Sequence, residues 1–165
     1  MIVMKNKTLE KIQRRWLSKP SHVIDTSVLI ETLIETKLGD KCADYLNRLK
    51  IKYRGHIPSS VLGEYFLIIF YDEKIEEKYK QRAFTFLEDL IRRRKILPMV
   101  PDKETFKLVE KIQNAEREIE DTDAFHYAVA VVNNADVFVT LDTKMLQSQT
   151  LEKEFGVKIS SPENL

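Results

Sequence analysis

Four acidic residues lie at the ends or beginnings of hydrophobic runs, where carboxylates can do chemistry. Asp25 in HVIDTSVLI and Asp142 in VFVTLDTKM each follow a strand-like run directly. Glu64 in PSSVLGEYFLIIF and Asp123 in DTDAFHYAVAV lie in the first turns of helix-like runs. Burying a carboxylate without a partner is costly, so four such positions indicate a shared purpose. The simplest purpose is a pocket that holds a hard divalent cation.

Alternating strand-like and helix-like runs must position these acids. Strands are expected at 22–25, 55–58, 96–100, 136–140 and 157–160. Helices are expected over 27–36 and, after a break at Gly39, through Leu49. Further helices are expected over 61–70 and 75–94, from 102 onward, over 123–132 and before the last strand. Ser59 or Ser60 is the expected cap of the third of these helices, and Thr122 of the helix that begins at Asp123. Two amphipathic faces are expected to point inward: Phe84, Leu87, Leu90 and Ile91, and then Phe106, Val109 and Ile112.

Strands that alternate with helices predict a three-layer α/β/α fold with a central parallel sheet of about five strands. In such folds, ligands bind beyond the carboxyl ends of the strands, at the point where the strand order reverses. Asp25 and Asp142 occupy positions of that kind. Glu64 and Asp123 lie near helix N-termini, where the helix dipole favours negative charge. The fold therefore allows all four acids to converge.

The composition predicts one globular domain. The chain has 165 residues, of which 43% are hydrophobic and 32% charged. Cys42 is the only cysteine, which excludes an intrachain disulfide and a cysteine-based metal cluster, and its apolar helical pattern favours core packing. No run reaches the roughly 18 apolar residues of a membrane span. We expect a cytoplasmic protein with no membrane partner.

The positive charge is concentrated at the N-terminus. Residues 1–20 carry six basic residues against Glu10, or +5, whereas the whole chain carries +1, so residues 21–165 carry about −4. We therefore divide the chain into a basic helical arm, 1–20, and a main domain, 21–165. The arm fits contact with a polyanion, or a terminal helix that docks through Leu9, Ile12 and Trp16. A second basic run, 92–95, is explained by the dipole of the helix that it ends, and RNA contact there is the lesser alternative.

Read together, the acidic segments resemble the PIN-domain nucleases, which include the VapC toxins of toxin–antitoxin pairs. Asp25-Thr26-Ser27 is similar to the family's opening motif, and Glu64 matches the glutamate of its central helix. The segment from Asp123 to Ala128 resembles the third acidic block, and Thr140-Leu141-Asp142 resembles the motif after the fourth strand. The resemblance covers 23–159 in the family's order and leaves the arm outside.

The resemblance implies a Mg²⁺- or Mn²⁺-dependent endoribonuclease, a toxin that a small antitoxin neutralises and that forms a homodimer. Asp25 and Asp142 would bind the metal, Asp123 directly or through water, and Glu64 as a ligand or as the base that positions water. Ser27 and Thr140 would donate hydrogen bonds to these carboxylates or to a phosphate, and Thr26 would do the same or cap a helix. The apolar run 65–71 would supply part of the dimer interface or pack in the core.

Each acid taken singly has a structural explanation. Asp25 and Asp123 fit helix N-caps, and Asp142 fits a turn residue, so the prediction rests on their coincidence. Asp121 also precedes the third block, and we choose Asp123 because the following residues match the family. His126 lies one turn beyond Asp123, where it can contact the pocket, but we expect a packing histidine whose hydrogen bonds are satisfied.

Two other functions compete with the nuclease. A non-catalytic PIN-like module would bind RNA or protein, but such modules tend to lose the acidic set, which is intact here. A phospho-acceptor receiver domain also gathers acids at strand ends. It normally has an acidic pair at its first site, where this chain has Asp25 beside Thr26.

Overall fold

A five-stranded parallel sheet forms the centre of the molecule. The chain is represented by a computed structural model that describes residues 2–73 and 75–165, with side chains from residue 10 onward. The strands are β1 (Ser21–Ile24), β2 (Arg54–Pro58), β3 (Ile96–Met99), β4 (Val137–Val139) and β5 (Lys158–Ser160). Their spatial order is β3-β2-β1-β4-β5, so β1 is central and the order reverses between β1 and β4.

Helices connect every pair of successive strands. They are α1 (Ile2–Leu17), α2 (Thr26–Glu31), α3 (Lys37–Arg48), α4 (Ser59–Tyr71), α5 (Glu77–Arg92), α6 (Lys103–Ala115), α7 (Asp121–Val132), α8 (Thr143–Gln147) and α9 (Gln149–Phe155). The single last helix of our prediction is two helices, because the Ser148 side chain begins a new one by accepting a hydrogen bond from the Leu151 amide at 3.3 Å. A short 3₁₀ turn, Pro162–Asn164, follows β5.

The sheet separates two hydrophobic cores. Ile24 of β1 packs into the core beneath α2 to α5, whereas its neighbour Val23 packs into the core beneath α6 to α9. Successive strand residues point to opposite faces, which explains why adjacent apolar residues serve different cores. This arrangement confirms the predicted three-layer α/β/α fold with five parallel strands.

The prediction that Gly39 breaks the chain between two helices is wrong. Gly39 lies inside α3, and the break is the turn that follows α2, which ends at Glu31. Thr36 begins α3 by accepting a hydrogen bond from the Gly39 amide at 2.9 Å. A Cβ at position 39 would lie 2.2 Å from the carbonyl oxygen of Ile34, so the glycine permits a close approach of two backbones.

Both predicted serine and threonine caps are also wrong. Ser59 and Ser60 lie within α4, whose N-cap position is held by Pro58. Thr122 lies within α7, which begins two residues earlier than expected, after Glu120. The helices start earlier because tertiary packing, rather than a local hydroxyl, fixes their first turns.

The amphipathic faces are only partly buried. Leu87, Leu90 and Ile112 are buried as expected, but Phe84 is 47% exposed and Phe106 is 62% exposed. The apolar pattern therefore extends beyond the core onto the surface. The aromatic residues at its edge are available for contacts outside the molecule.

The predicted N-terminal helix is present as α1. In the docking alternative for the arm, Ile12 does not contribute, since its side chain is 60% exposed, whereas Trp16 is half-buried beneath Lys19 Nζ. The expectation for the Leu9 side chain falls outside the described side chains. Among the residues that the structure describes, no helix has the length and apolar character needed to cross a bilayer.

Candidate metal centre

All four predicted acids line one cleft at the carboxyl end of the sheet. The cleft has a volume of about 450 Å³ and lies where the strand order reverses between β1 and β4. Asp25 follows β1, Asp142 begins α8 after β4, and Glu64 and Asp123 project from α4 and α7. The parallel topology brings these residues together because the carboxyl ends of neighbouring strands share one edge.

Asp25 is the most constrained of the four. Its residue is 3% exposed, and its Oδ2 accepts hydrogen bonds from Ser27 Oγ at 2.6 Å and from Thr140 Oγ1 at 3.0 Å. His126 Nδ1 lies 3.0 Å from its Oδ1. Burial alone would raise the pKa of Asp25, but the hydrogen bond and charge of His126 and the two hydroxyl donors outweigh it, so this pKa is lowered. Asp25 is therefore a carboxylate with a fixed orientation.

Ser27 and Thr140 connect Asp25 to the Asp142 segment. Ser27 Oγ accepts a hydrogen bond from the Leu141 amide at 3.1 Å, and Thr140 Oγ1 accepts one from the Asp142 amide at 3.1 Å. Asp142 accepts a hydrogen bond from the Met145 amide at 2.8 Å and so caps α8. The two hydroxyl groups thus hold both aspartates in register across β1 and β4.

Glu64 faces Asp25 from α4. Its side chain is 31% exposed, and its Oε2 accepts a hydrogen bond from Thr26 Oγ1. The same oxygen lies 4.0 Å from His126 Nδ1. Thr26 therefore orients a carboxylate that is open to the cleft, while the cap of α2 is the side chain of Asp25.

Asp123 experiences the crowding of the other acids most strongly. Burial in the first turn of α7, followed by the charges of Asp25 and Asp142, raises its pKa to about 7. Asp123 resists ionisation because Asp25 and Asp142 already repel its negative charge. A bound cation would supply the positive charge that relieves this repulsion.

His126 contacts the cleft, which differs from the packing role that the sequence predicts. We expected a packing histidine with satisfied hydrogen bonds, yet its Nδ1 contacts Asp25 while its Nε2, 1% exposed as a residue, has no hydrogen-bond partner among the described residues. An ionised carboxylate only accepts hydrogen bonds, so Nδ1 of His126 carries a proton and donates a hydrogen bond to Asp25. The spacing places His126 one helical turn after Asp123, but it does not identify Asp25 as the partner of the ring.

Asp121 and the basic run lie outside the cleft. Asp121 is exposed and accepts a hydrogen bond from Gln113 Nε2 at 2.5 Å. In the basic run, Arg92 and Arg93 pair with Glu88 and Asp89 one turn earlier on α5. These pairs explain the run without a ligand, as the dipole argument expected.

The donor set of the cleft fits a hard divalent ion. Carboxylate oxygens are the ligands that Mg²⁺ and Mn²⁺ prefer. A ring nitrogen of His126 also lies within 4.8 Å of oxygens of Asp25 and Glu64. Because Nδ1 is engaged as a donor to Asp25, however, the oxygens of the four acids are the better ligands.

Comparison with known proteins agrees with this geometry. The model of the PIN domain family matches residues 22–149. No curated protein sequence matches the chain.

Several solved structures share the fold. VapBC2 from Rickettsia felis, bound to a DNA fragment from its promoter, aligns with TM-score 0.62 and 15% identity over 86% of this chain and 98% of the other. FitAcB from Neisseria gonorrhoeae aligns with TM-score 0.63 and 19% identity over 87% of this chain and 99% of the other. VapC20 from Mycobacterium tuberculosis, a sarcin-ricin loop cleaving toxin, aligns with TM-score 0.57 and 12% identity over 81% of this chain and 95% of the other.

Proposed function

Because this chain belongs to the PIN domain family, we propose that it is a Mg²⁺- or Mn²⁺-dependent endoribonuclease that hydrolyses phosphodiester bonds of RNA. The observation that carries the proposal is the single cleft lined by Asp25, Glu64, Asp123 and Asp142. The receiver alternative fits the fold poorly. A receiver sheet has its first strand between the second and third, whereas β1 lies between β2 and β4.

In this proposal Asp25 and Asp142 bind the metal, and Asp123 binds it directly or through water. Bound there, a divalent ion would lower the pKa of a coordinated water and neutralise the charge of the scissile phosphate. Glu64 either adds a ligand oxygen or accepts the proton of the attacking water. Its exposed carboxylate, oriented by Thr26, supports both roles.

The buried polar residues keep this arrangement rigid. Ser27, Thr140 and His126 hold Asp25 from three directions, so its oxygens do not need to reorganise when substrate binds. Precise orientation of metal ligands by hydrogen-bonded neighbours commonly contributes 10- to 100-fold to affinity or activity.

The decisive experiment compares two isosteric substitutions of aspartate. Asp25→Asn keeps the shape of the residue but removes a charge from the cleft, so we expect RNA cleavage with Mg²⁺ or Mn²⁺ to fall at least 100-fold. Asp89→Asn is the matched control, because Asp89 is 52% exposed and pairs only with Arg93 at the surface. The control should cleave like the wild type, and chelator should abolish both activities.

Equal cleavage by the wild type and Asp25→Asn would contradict the assignment. A wild type that neither cleaves RNA nor gains thermal stability with Mn²⁺ would instead identify a non-catalytic PIN-like module. These two results are distinct, since the first retains a metal-independent activity and the second has none.

We also propose that the chain is a toxin neutralised by a small antitoxin. VapBC2 and a toxin–antitoxin complex from Klebsiella pneumoniae share its fold. An apolar groove of about 420 Å³ lies between the end of α2 and helices α4 and α5, and Ile30 and Ile68 line both this groove and the acidic cleft. A partner helix seated in the groove would therefore lie beside the acids.

Expression in cells tests the toxin proposal. Growth arrest by the wild type, absent with Asp25→Asn and relieved by a co-expressed small antitoxin, is the expected result. Ile34→Glu places a charge in the groove, where Ile34 is 48% exposed, and should prevent that relief. Relief that survives Ile34→Glu would place the partner elsewhere.

The basic arm, residues 1–20, completes the proposal as a contact for the RNA backbone, supported by its charge of +5. The site of action is the cytoplasm, where the proposed substrate is found. The main domain, 21–165, carries the cleft.

A further inference from the structure

A second groove adjoins the acidic cleft between α4, α6 and α7. It has a volume of about 370 Å³, and Glu64 lines both the groove and the cleft. The two spaces are therefore neighbours across a single side chain. An RNA strand whose scissile phosphate lay in the cleft would place a neighbouring nucleotide beside this groove.

One aromatic residue of the groove wall packs against a second that lies beside the groove. Phe125 of α7 lines it, and Phe106 of α6 lies beside Phe125 with the ring centroids 5.4 Å apart. Phe106 is 62% exposed, which is a high exposure for so large an apolar side chain. Exposed aromatic rings beside a nucleic-acid site are platforms on which bases stack.

Two residues of the groove wall each carry a buried polar atom that lacks a hydrogen-bond partner among the described residues. Ser60 Oγ and His126 Nε2 are buried and have no hydrogen-bond partner within the described part of the chain, and both residues line the groove. Nδ1 of His126 faces Asp25, so Nε2 is the ring nitrogen that remains for a ligand, and the Ser60 hydroxyl can donate or accept. A planar group with an N–H donor and a neighbouring acceptor would satisfy both atoms once a wall side chain moves aside.

The charge of the groove selects a base over a phosphate. Glu64 and Asp121 line it, and both carboxylates would repel a phosphate. A nucleobase is neutral, has a stacking face, and carries donors and acceptors on its edge.

We propose that this groove, which we call the base groove, binds the nucleobase next to the scissile phosphate by stacking it on Phe125 and Phe106. The proposal rests on the nuclease function proposed above. It makes Phe125, Phe106, Ser60 and His126 determinants of which RNA sequence is cut.

Cleavage of an RNA oligonucleotide with one mapped cut site tests the proposal. Each nucleotide flanking the cut is replaced in turn by an abasic nucleotide, and kcat/KM is measured for the wild type and for Phe125→Leu and Phe106→Leu. We expect one abasic position to lower the wild-type value about 5- to 100-fold, as loss of base stacking does. Phe125→Leu should already show that loss with the intact oligonucleotide and suffer little further loss at the abasic position.

Phe84→Leu is the matched control, because Phe84 is 47% exposed on α5 and lies outside both cavities. It should keep the wild-type value and the full abasic penalty. Phe106→Leu is the second test variant in case Phe125→Leu does not fold, since truncation of an exposed ring leaves the core intact. Thermal melts should show all three variants folded.

A binding measurement separates the base groove from catalysis. In the Asp25→Asn background without added metal, fluorescence anisotropy should show weaker binding of the intact oligonucleotide when Phe125→Leu is added, and no such change for the abasic one. A full abasic penalty that persists in both Phe125→Leu and Phe106→Leu overturns the base groove and leaves the nuclease intact. Equal, metal-independent activity of the wild type and Asp25→Asn overturns the metal-dependent assignment of the cleft, and a wild type that cleaves no RNA overturns the nuclease itself.

Discussion

At the scale of single residues, the acidic cleft combines one carboxylate that is easy to ionise with one that is not. Asp25 has a lowered pKa because the donors around it outweigh its burial. Asp123 has a pKa raised to about 7 by burial and by its acidic neighbours. Asp25 is therefore ionised at low pH, whereas Asp123 adds its negative charge only as the pH rises through neutrality. In that pH range a bound cation would offset the added charge.

Asp123→Asn should stabilise the metal-free protein at high pH. The folded protein holds the Asp123 proton up to a pKa of about 7, whereas the unfolded chain releases it near its ordinary value of 3.8. Between these values the folded state binds more protons, so the free energy of unfolding falls as the pH rises. At pH 8 we expect the variant to be more stable by about 1–2 kcal/mol after solvent screening, with no difference near pH 4. Chemical denaturation across this pH range measures it.

Asp121→Asn provides the control for that experiment. Asp121 is exposed on the same helical turn, so its substitution should change stability little at any pH. Mn²⁺ should raise the melting temperature of the wild type more at pH 8 than at pH 5. A wild type that is as stable as Asp123→Asn at pH 8 would argue against repulsion in the cleft.

The acids could be predicted from sequence because each has a local signal at the end of a strand or in the first turn of a helix. The role of His126 could not, since its partner Asp25 lies 101 residues away and only the folded sheet brings them together. The unpartnered Nε2 is likewise a property of packing. No spacing rule reveals whether a buried nitrogen has found a donor.

At the scale of elements, Gly39 shows how one local signal supports two structures. Glycine is typical of breaks and of close backbone approach, and the sequence does not distinguish them. The strands were easier, and each of the five predicted segments lies within one residue of its observed limits. The helix starts were harder, since Pro58 and Glu120 hold N-cap positions that a hydroxyl rule assigns elsewhere.

Gly39→Ala should destabilise the junction of α2 and α3. The new Cβ would lie 2.2 Å from Ile34 O and 2.8 Å from Glu31 O, so backbone must move. We expect the free energy of unfolding to fall by about 1–3 kcal/mol, as overpacking does. Urea denaturation at neutral pH gives the value.

Gly63→Ala is the opposite case within α4. A Cβ there meets no atom within 4 Å among those described, and the residue is exposed. Alanine should therefore stabilise the helix by about 0.5–1 kcal/mol. If both substitutions had the same sign, close approach at Gly39 would not be the reason for its glycine.

At the scale of the whole molecule, the apolar run 65–71 divides between core and surface. Tyr65 and Ile69 are buried, whereas Leu67 is 58% exposed, Phe70 43% and Tyr71 78%. Phe70 and Tyr71 lie three and four positions after Leu67 and share a face of α4 with it, whereas Ile68, 39% exposed, lines the apolar groove. An apolar face of this kind supports the proposed homodimer.

Leu67→Glu should separate that dimer. A charge on the shared face would be buried without a partner in the assembly, which is costly. Light scattering coupled to size-exclusion chromatography should show the mass halved at micromolar concentration. Val100→Glu is the control, because Val100 is 78% exposed on a different surface and should leave the mass unchanged. A monomeric wild type would rule out the dimer at that concentration.

The central position of β1 also governs when activity can appear during protein synthesis. Asp25 leaves the ribosome early, but its donor Thr140 is made 115 residues later. At roughly 5–20 residues per second, that interval lasts about 6–23 s. Until β4 has emerged and paired with β1, a nascent chain has no complete acidic cleft. A product that terminates before Asp142 would therefore lack the complete cleft and, with it, the cleavage activity proposed above.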